Sequence, residues 1–321
     1  MTRLLLTLRI HRFEALGIGL LAAAILIGSG GLWLRLLAFD LPASCFFNGP
    51  QFDQGCAARN AEVNDYMALA GDLGMYALIG IAFLPVLSGL ILGIALVGKE
   101  LERGTTTLAW SIAPSRRSWL LGRVLPIGLL VTGACLAAGF IANGLELVRN
   151  PTIDPARTFQ HLGLRGVVVA AEGLGVFGVA LAVGARLGRV LPALLLSGAL
   201  VVGGFVGTAF LMDALLRTET VAVTVNEEWD SNVWMTGRVF GMGIRTPDGV
   251  LLSWDDAYQQ YGEAIDPGMP GFEPGGFEQV FTVNPGELYP IVEWRMTVIF
   301  GAIGLAGIVL AFAIVERRRP T

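Results

Sequence analysis

The stretch MYALIGIAFLPVLSGLILGIALV, residues 75–97, decides the fold class. It carries no charged side chain. An α-helix rises about 1.5 Å per residue, so roughly 20 apolar residues cross about 30 Å of hydrocarbon, and this stretch is long enough. Pro85 stands near its middle. A proline there frees a backbone carbonyl, which a membrane helix tolerates when neighbouring helices or water take it up. Five further stretches share this character: 14–37, 119–147, 164–185, 190–216 and 291–315. The stretch at 119–147 is long and holds Arg123 and Pro126 near its start, which puts its first turn in the interface.

Composition agrees with six spans. Of the 321 residues 54% are hydrophobic and only 15% charged, against about 25% charged in a soluble domain. The 43 glycines suit helices that pack closely in lipid, where small residues let backbones approach. The net charge of −4 hides a segregation: residues 217–290 hold twelve Asp/Glu and three Lys/Arg, leaving the remainder basic. That polarity belongs to a membrane protein and implies no nucleic-acid partner.

Positive charge orients the spans. With the N-terminus inside, segments 1–13, 98–118, 186–189 and 316–321 face the cytoplasm and hold twelve Lys/Arg. The short outer loops 38–74 and 148–163 hold three, namely Arg59, Arg149 and Arg157. The expected organisation is therefore an all-α polytopic membrane protein. A cytoplasmic segment, 1–13, leads into helices one to five over 14–216, with a cytoplasmic loop at 98–118. A domain outside the membrane follows at 217–290, then a sixth helix at 291–315 and a cytoplasmic tail at 316–321. The first apolar stretch is longer than the 7–15 residues of a signal-peptide core and reads as a span. Within LPASC, 41–45, Pro42 stands where a lipoprotein cleavage box wants Leu, Val or Ile.

The apparent chemical motifs fail on context. GIALVGKE, 93–100, has the G-x-x-x-x-G-K core of a phosphate-binding loop, but Glu100 replaces the Ser/Thr that would hold magnesium, and the segment ends a membrane helix. Since Lys99 is the one lysine in the chain, no other candidate exists, and ATP is not expected to bind here. GLGVFG, 173–178, fits G-x-G-x-x-G but lies inside a span without a βαβ unit, so it reads as helix packing. With two histidines, three cysteines and no G-x-S-x-G or H-E-x-x-H, neither a catalytic nor a metal site is expected. Cys45 and Cys56 share the first outer loop, where the compartment is oxidising, and are expected to form a disulfide; Cys135 is a small packing residue in the third span. Glu172 is the costliest residue of the bundle, expected eight residues into the fourth span, about 12 Å deep by helical rise, with Arg165 on the same helical face. It is either a structural carboxyl or a residue lining a substrate route.

The loop LVGKELERGTTTLAWSIAPSRRSWLLGRV, 96–124, is the most informative segment. Lys99-Glu100-Leu101-Glu102-Arg103 continues the preceding helix, and Gly104 ends it. The amphipathic TTTLAWSI follows, and Pro114 with Arg116-Arg117 starts a new helix at the membrane surface. Taken alone, this is a short ordered element offering charges and a few apolar residues on the cytoplasmic face, or an ordinary interfacial loop. The segment resembles the signature of ATP-binding cassette type-2 exporter permeases, especially a branch common in high-GC Gram-positive bacteria. Glu100, Glu102, Gly104, Thr105, Leu108, Trp110, Arg116 and Trp119 fall on its pattern. Segments 159–197 and 289–320 are similar to the family's fourth, fifth and sixth spans. Lys99 stands for a usual Arg, Arg123 for a usual Lys, and Glu172 for a neutral residue.

The resemblance implies a membrane subunit of an exporter in the bacterial cell membrane. Two copies, alike or paralogous, would pair with two separate ATPase subunits that bind ATP and magnesium. Glu100, Glu102, Arg103, Gly104, Thr105, Arg116 and Arg117 would meet the ATPase. Spans with few fixed charges favour hydrophobic or amphipathic cargo: drugs, lipids or peptides. A non-transporting sensor or immunity protein, or a secondary transporter, is the alternative; neither explains the loop. In 217–290, VFGMGIRTPDGVLLSW reads as two strands around a Thr-Pro-Asp-Gly turn, VAVTVNEEW as a third, WDDAYQQYGEAI as a short helix and DPGMPGFEPGGF as a linker. A small external cap containing strands is expected.

Overall fold

A computed structural model describes residues 12–46, 54–105, 110, 115–151, 153–224, 237–262 and 276–318. Among these, six helices are long and apolar enough to cross a membrane. Helix α1 is Arg12–Leu37; α2, Gln54–Ala58, is short. Helix α3, Asn60–Ala68, runs through a π-turn at Leu69–Leu73 into α4, Gly74–Glu102. Then come α5, Arg116–Arg149, α6, Val168–Leu187, and α7, Val190–Thr218. Strands β1, Val221–Thr224, β2, Arg238–Arg245, and β3, Leu251–Ser253, precede α8, Trp254–Tyr261. Strand β4, Glu278–Asn284, leads to α9, Tyr289–Arg317.

The chain forms two compact units. The first holds residues 1–152, 161–208 and 293–321. Its centre is α6, whose apolar window is 83% buried where that of α1 is 17%. Glycine makes that position possible. A Cβ at Gly89 or Gly93 of α4 would strike Val176, Phe177 or Ala180 of α6, and one at Gly178 would meet the Gly304 backbone of α9. Without those side chains the helix axes approach closely, which in lipid replaces the hydrophobic drive by dispersion contacts. The GLGVFG segment is part of this packing: Gly173 lies against Cys135 and Gly175 against Phe300. Around α6, Phe177, Leu181, Val131, Ile127, Leu92 and Leu96 are all buried. Outward faces stay apolar, with Leu20, Ile27, Leu195 and Leu305 exposed, as lipid contact requires.

Two expected bounds move. The second apolar stretch is not preceded by a loop up to residue 74, because α3, the π-turn and α4 make one helical run from Asn60 to Glu102. The fourth helix begins at Val168, not 164. Gly163 and Gly166 take φ of +89° and +66°, and His161 +53°, conformations that no helix continues through. Arg165 is therefore in a turn and shares no helical face with Glu172. Glu172 stands four residues past the start of α6, about 6 Å along its axis by helical rise.

The second unit comprises 153–160 and 209–292. It is wider than 217–290 because the ends of two long helices belong to it, together with the Ile153–Gln160 segment. Its four strands are antiparallel in the order β1-β4-β2-β3. The Thr246–Gly249 turn joins β2 to β3, with Gly249 at φ +82° and its N–H donating to Thr246 O at 2.8 Å. The fourth strand, missed in the sequence, is central, pairing with β1 and β2. Its EQVFTVN run is rich in β-branched residues, the available signal. Ile244 and Ala257 form a small core with Leu252, Trp254, Tyr261 and Phe277. The buried Asn284 donates Nδ2–H to Leu216 O at 2.8 Å, and Asp213 pairs with Arg217 at 2.8 Å and Arg238 at 2.6 Å. The expected linker at 266–277 and the second half of VAVTVNEEW fall mostly outside the described residues.

Candidate functional site

The site grows from helix ends gathered on one side of the helical unit. Helix α4 finishes at Glu102 because Arg103–Thr105 turn away, with Gly104 at φ +68°. Gly104 N–H then donates to Leu101 O at 3.2 Å, and Thr105 N–H to Glu100 O at 3.2 Å, so two of the last carbonyls are satisfied. Helix α5 starts at Arg116, capped by Ser115, whose hydroxyl accepts from Ser118 N–H at 3.1 Å. Between these lie 106–109 and 111–114, outside the described residues; most of TTTLAWSI falls there.

Charge is distributed unequally among the expected residues. Glu100 is buried at 8% exposure and pairs with Arg123 of α5, so it faces the bundle and does not project from the surface. The Arg123 guanidinium lies 4.3 Å above the Trp119 ring, and Trp110 meets Trp119 edge-on at 6.1 Å between centroids. The Arg116 guanidinium lies 4.6 Å over the Trp110 ring. A cation over an indole face is attracted by the ring quadrupole, so the two arginines hold Trp110 and Trp119 as one block. Glu102 is exposed, and its carboxylate accepts from Val190 N–H at 2.9 Å, capping α7. Arg103, Gly104, Thr105 and Arg117 are exposed. Lys99, read in the sequence as part of a failed phosphate loop, pairs with Glu14 of α1.

Beside the loop, a groove of about 540 Å³ is lined by Ile91, Ile94, Ala95, Val190 and Leu194, with Glu14, Lys99, Glu102 and Arg103 around it. At the same end the tail of α9 joins in. Arg116 donates to Glu316 O at 3.0 Å and to Arg318 O, Arg117 pairs with the Glu316 carboxylate, and Arg318 donates to Ala185 O of α6 at 2.6 Å. Arg318 and Glu316 do not stand out in the sequence; their one signal there is the cluster of terminal arginines.

The other end of the helical unit is ionic too, but closed. Glu146, at 1% exposure, accepts from Asn150 Nδ2 at 2.7 Å and lies 3.0 Å from His161 Nδ1. Arg165 has no exposed surface, and its charge acts on both Glu146 and Glu293. The Glu293 carboxylate accepts the Val167 N–H at the start of α6, pressing on Gly166. Glu172, 5% exposed, lies near Gly163 and Cys135; among the described residues no hydrogen bond or ion pair engages its carboxyl. Cys45 and Cys56 are bonded, with Cα atoms 5.4 Å apart. Sequence reasoning misses Glu146, His161 and Glu293 because nothing local marks them; the turn gathers them.

A family model described as ABC-2 membrane transporter related matches residues 15–217, more than half of the chain. The chain belongs to this family. It is thus the multi-pass permease subunit of an ABC transporter, which works with a partner ATPase subunit. No curated protein and no solved structure matched the chain. In this ABC-2 permease the matched span takes in α1 through nearly all of α7 and the loop after α4, and stops before the sheet.

Proposed function

We propose that this permease exports a hydrophobic or amphipathic cargo, as two copies, alike or paralogous, joined to two ATPase subunits that hold the ATP and magnesium. The loop between α4 and α5 and both termini face the cytoplasm of a bacterial cell, and the sheet-bearing unit lies outside. One observation carries the reading: within the family match, a loop with exposed Glu102, Arg103, Gly104, Thr105 and Arg117 stands at the end of the bundle rich in Lys and Arg. These exposed groups are the ones that would meet the ATPase. Glu100 would act from inside, by tying α4 to α5 so that the two helices move together.

Glu172 would line the cargo route. What supports this is a buried carboxyl with no partner among the described residues, in a unit whose spans otherwise carry few charges. An intramembrane ionisable group of that kind is by default a functional candidate. The family membership supports a permease over a sensor or a secondary transporter.

Two measurements test the proposal. In intact cells an impermeant maleimide should modify a cysteine at the exposed Asp248 and leave one at Arg103 unmodified. The reverse pattern would put the loop outside, out of reach of the ATPase, and overturn the reading. In inside-out vesicles holding the permease–ATPase complex, ATP should drive accumulation of fluorescent amphipaths; ATP-driven loss from preloaded vesicles would make the protein an importer.

A further inference from the structure

We infer that Arg318 and Arg116 form a relay that carries movement of the α4–α5 loop to the central helix α6 by way of the α9 tail. The inference rests on the proposal that this loop meets the ATPase.

A helix leaves its last four carbonyls without partners inside the helix, and its C-terminus is the negative end of the dipole. Two such ends sit side by side here, those of α6 and α9, and each is met by an arginine from the next element along. Arg116, the first residue of α5, reaches the α9 end through Glu316 O, 3.0 Å away, and Arg318 O. Arg117 adds an ion pair to the Glu316 side chain. Arg318, one residue beyond α9, then reaches the α6 end at Ala185 O, 2.6 Å away. The order is loop, Arg116, α9 end, Arg318, α6 end.

Gly188 is what lets the last link close. It ends α6 at φ +63°, with its N–H on Gly184 O at 2.9 Å, and a Cβ there would lie 2.7 Å from Arg318 Nη2. A side chain at 188 would therefore be strained in backbone conformation and would also push the guanidinium away. On the loop side, Arg116 rests on Trp110, which is within the loop, and Trp110 rests on Trp119. A push on Trp110 thus reaches Arg116 through the indole ring on which its guanidinium rests. Guanidinium groups suit this because their donors are fixed in one plane, whereas a lysine offers a mobile point charge. Arg116 and Arg318 are positioning residues: they would touch neither cargo nor nucleotide.

The experiment uses the complete permease–ATPase complex in nanodiscs. A fluorophore is placed on a cysteine at Leu121 of α5 or at Leu187 at the end of α6, both exposed. Cys135 is buried and Cys45–Cys56 are bonded, so the introduced thiol takes the label. In the parent, trapping with ATP and vanadate should shift the emission at both positions. In Arg318→Ala the shift at 187 should be lost while that at 121 and the ATPase rate persist, and Arg318→Lys should restore it only in part. Arg116→Ala should also silence 187. If 187 still responds in both alanine variants, or if Arg318→Ala silences 121 and 187 together with ATP hydrolysis, the relay is wrong. No response at 121 in the parent would instead overturn the loop–ATPase reading on which the relay stands.

Discussion

At the loop-bearing end of the helical unit, Glu100 and Arg123 are buried against each other, but the other charges sit on or near the surface and several of their partners are backbone carbonyls. At the opposite end the two most buried charges are sealed inside: Arg165 shows no surface, and Glu146 shows 1%. The two ends contain similar residue types, yet the environments assign them different work. An ion pair in water contributes under about 1 kcal/mol and reforms easily, so the surface pairs of the loop end can rearrange. A buried pair is costly to break, because the partner left behind is a charge without water. The closed end therefore anchors α5, the 161–167 turn, α6 and α9, and the surface pairs of the loop end are free to rearrange.

The contrast breaks most readily at Arg165. Arg165→Met should lower stability by about 3–5 kcal/mol, since a fully buried cation whose charge acts on Glu146 and Glu293 is lost. Thermal unfolding of the detergent-solubilised protein measures this, and an unchanged midpoint would mean the closed end is no anchor. Next comes the Cys45–Cys56 bond, which closes a loop of about 12 residues and should contribute about 3 kcal/mol by chain entropy. Reduction should add the mass of two hydrogens and lower the midpoint; free thiols in protein purified without reductant would remove this support.

Effects at the loop end should be smaller. Glu100→Gln should cost about 1.5–3 kcal/mol, the range for hydrogen bonds to charged groups, because Arg123 keeps its place over Trp119 but loses its carboxylate. Arg117→Ala, with a side chain 76% exposed, should cost under about 1 kcal/mol. A loss at Arg117 equal to that at Arg165 would erase the distinction between the ends. Glu172→Gln sharpens it from another side. With no partner to strand among the described residues, it should stay within about 1 kcal/mol of the parent while changing the rate at which cationic and neutral amphipaths are moved. Rates unchanged from the parent for both cargo classes would make Glu172 a structural carboxyl.

The six spans are legible in the amino-acid order alone because lipid imposes a one-dimensional rule: about 20 apolar residues in a row, whatever they pack against. The same holds for the α4 end at Gly104, and for the Thr-Pro-Asp-Gly turn between β2 and β3, where local backbone preference decides. The segregation of Lys and Arg along the chain is likewise legible, as a count. Relations between distant positions are not. Glu100 and Glu102 are two residues apart and look alike in the sequence, yet one turns inward to Arg123 and the other outward to cap α7 at Val190. The 100° step between helix residues fixes their divergence, but only the packing of α4 against α5 and α7 says which faces inward. Counting apolar residues sets Glu172 too deep, because the count does not reveal that glycines at 163 and 166 hold the preceding residues out of the helix. The cluster of Glu146, His161, Arg165 and Glu293 draws on 148 positions of chain from first to last. Sequence determined which segments enter the membrane, since hydrocarbon reads composition locally; tertiary structure decided which charges meet, since ion pairs read distance in space.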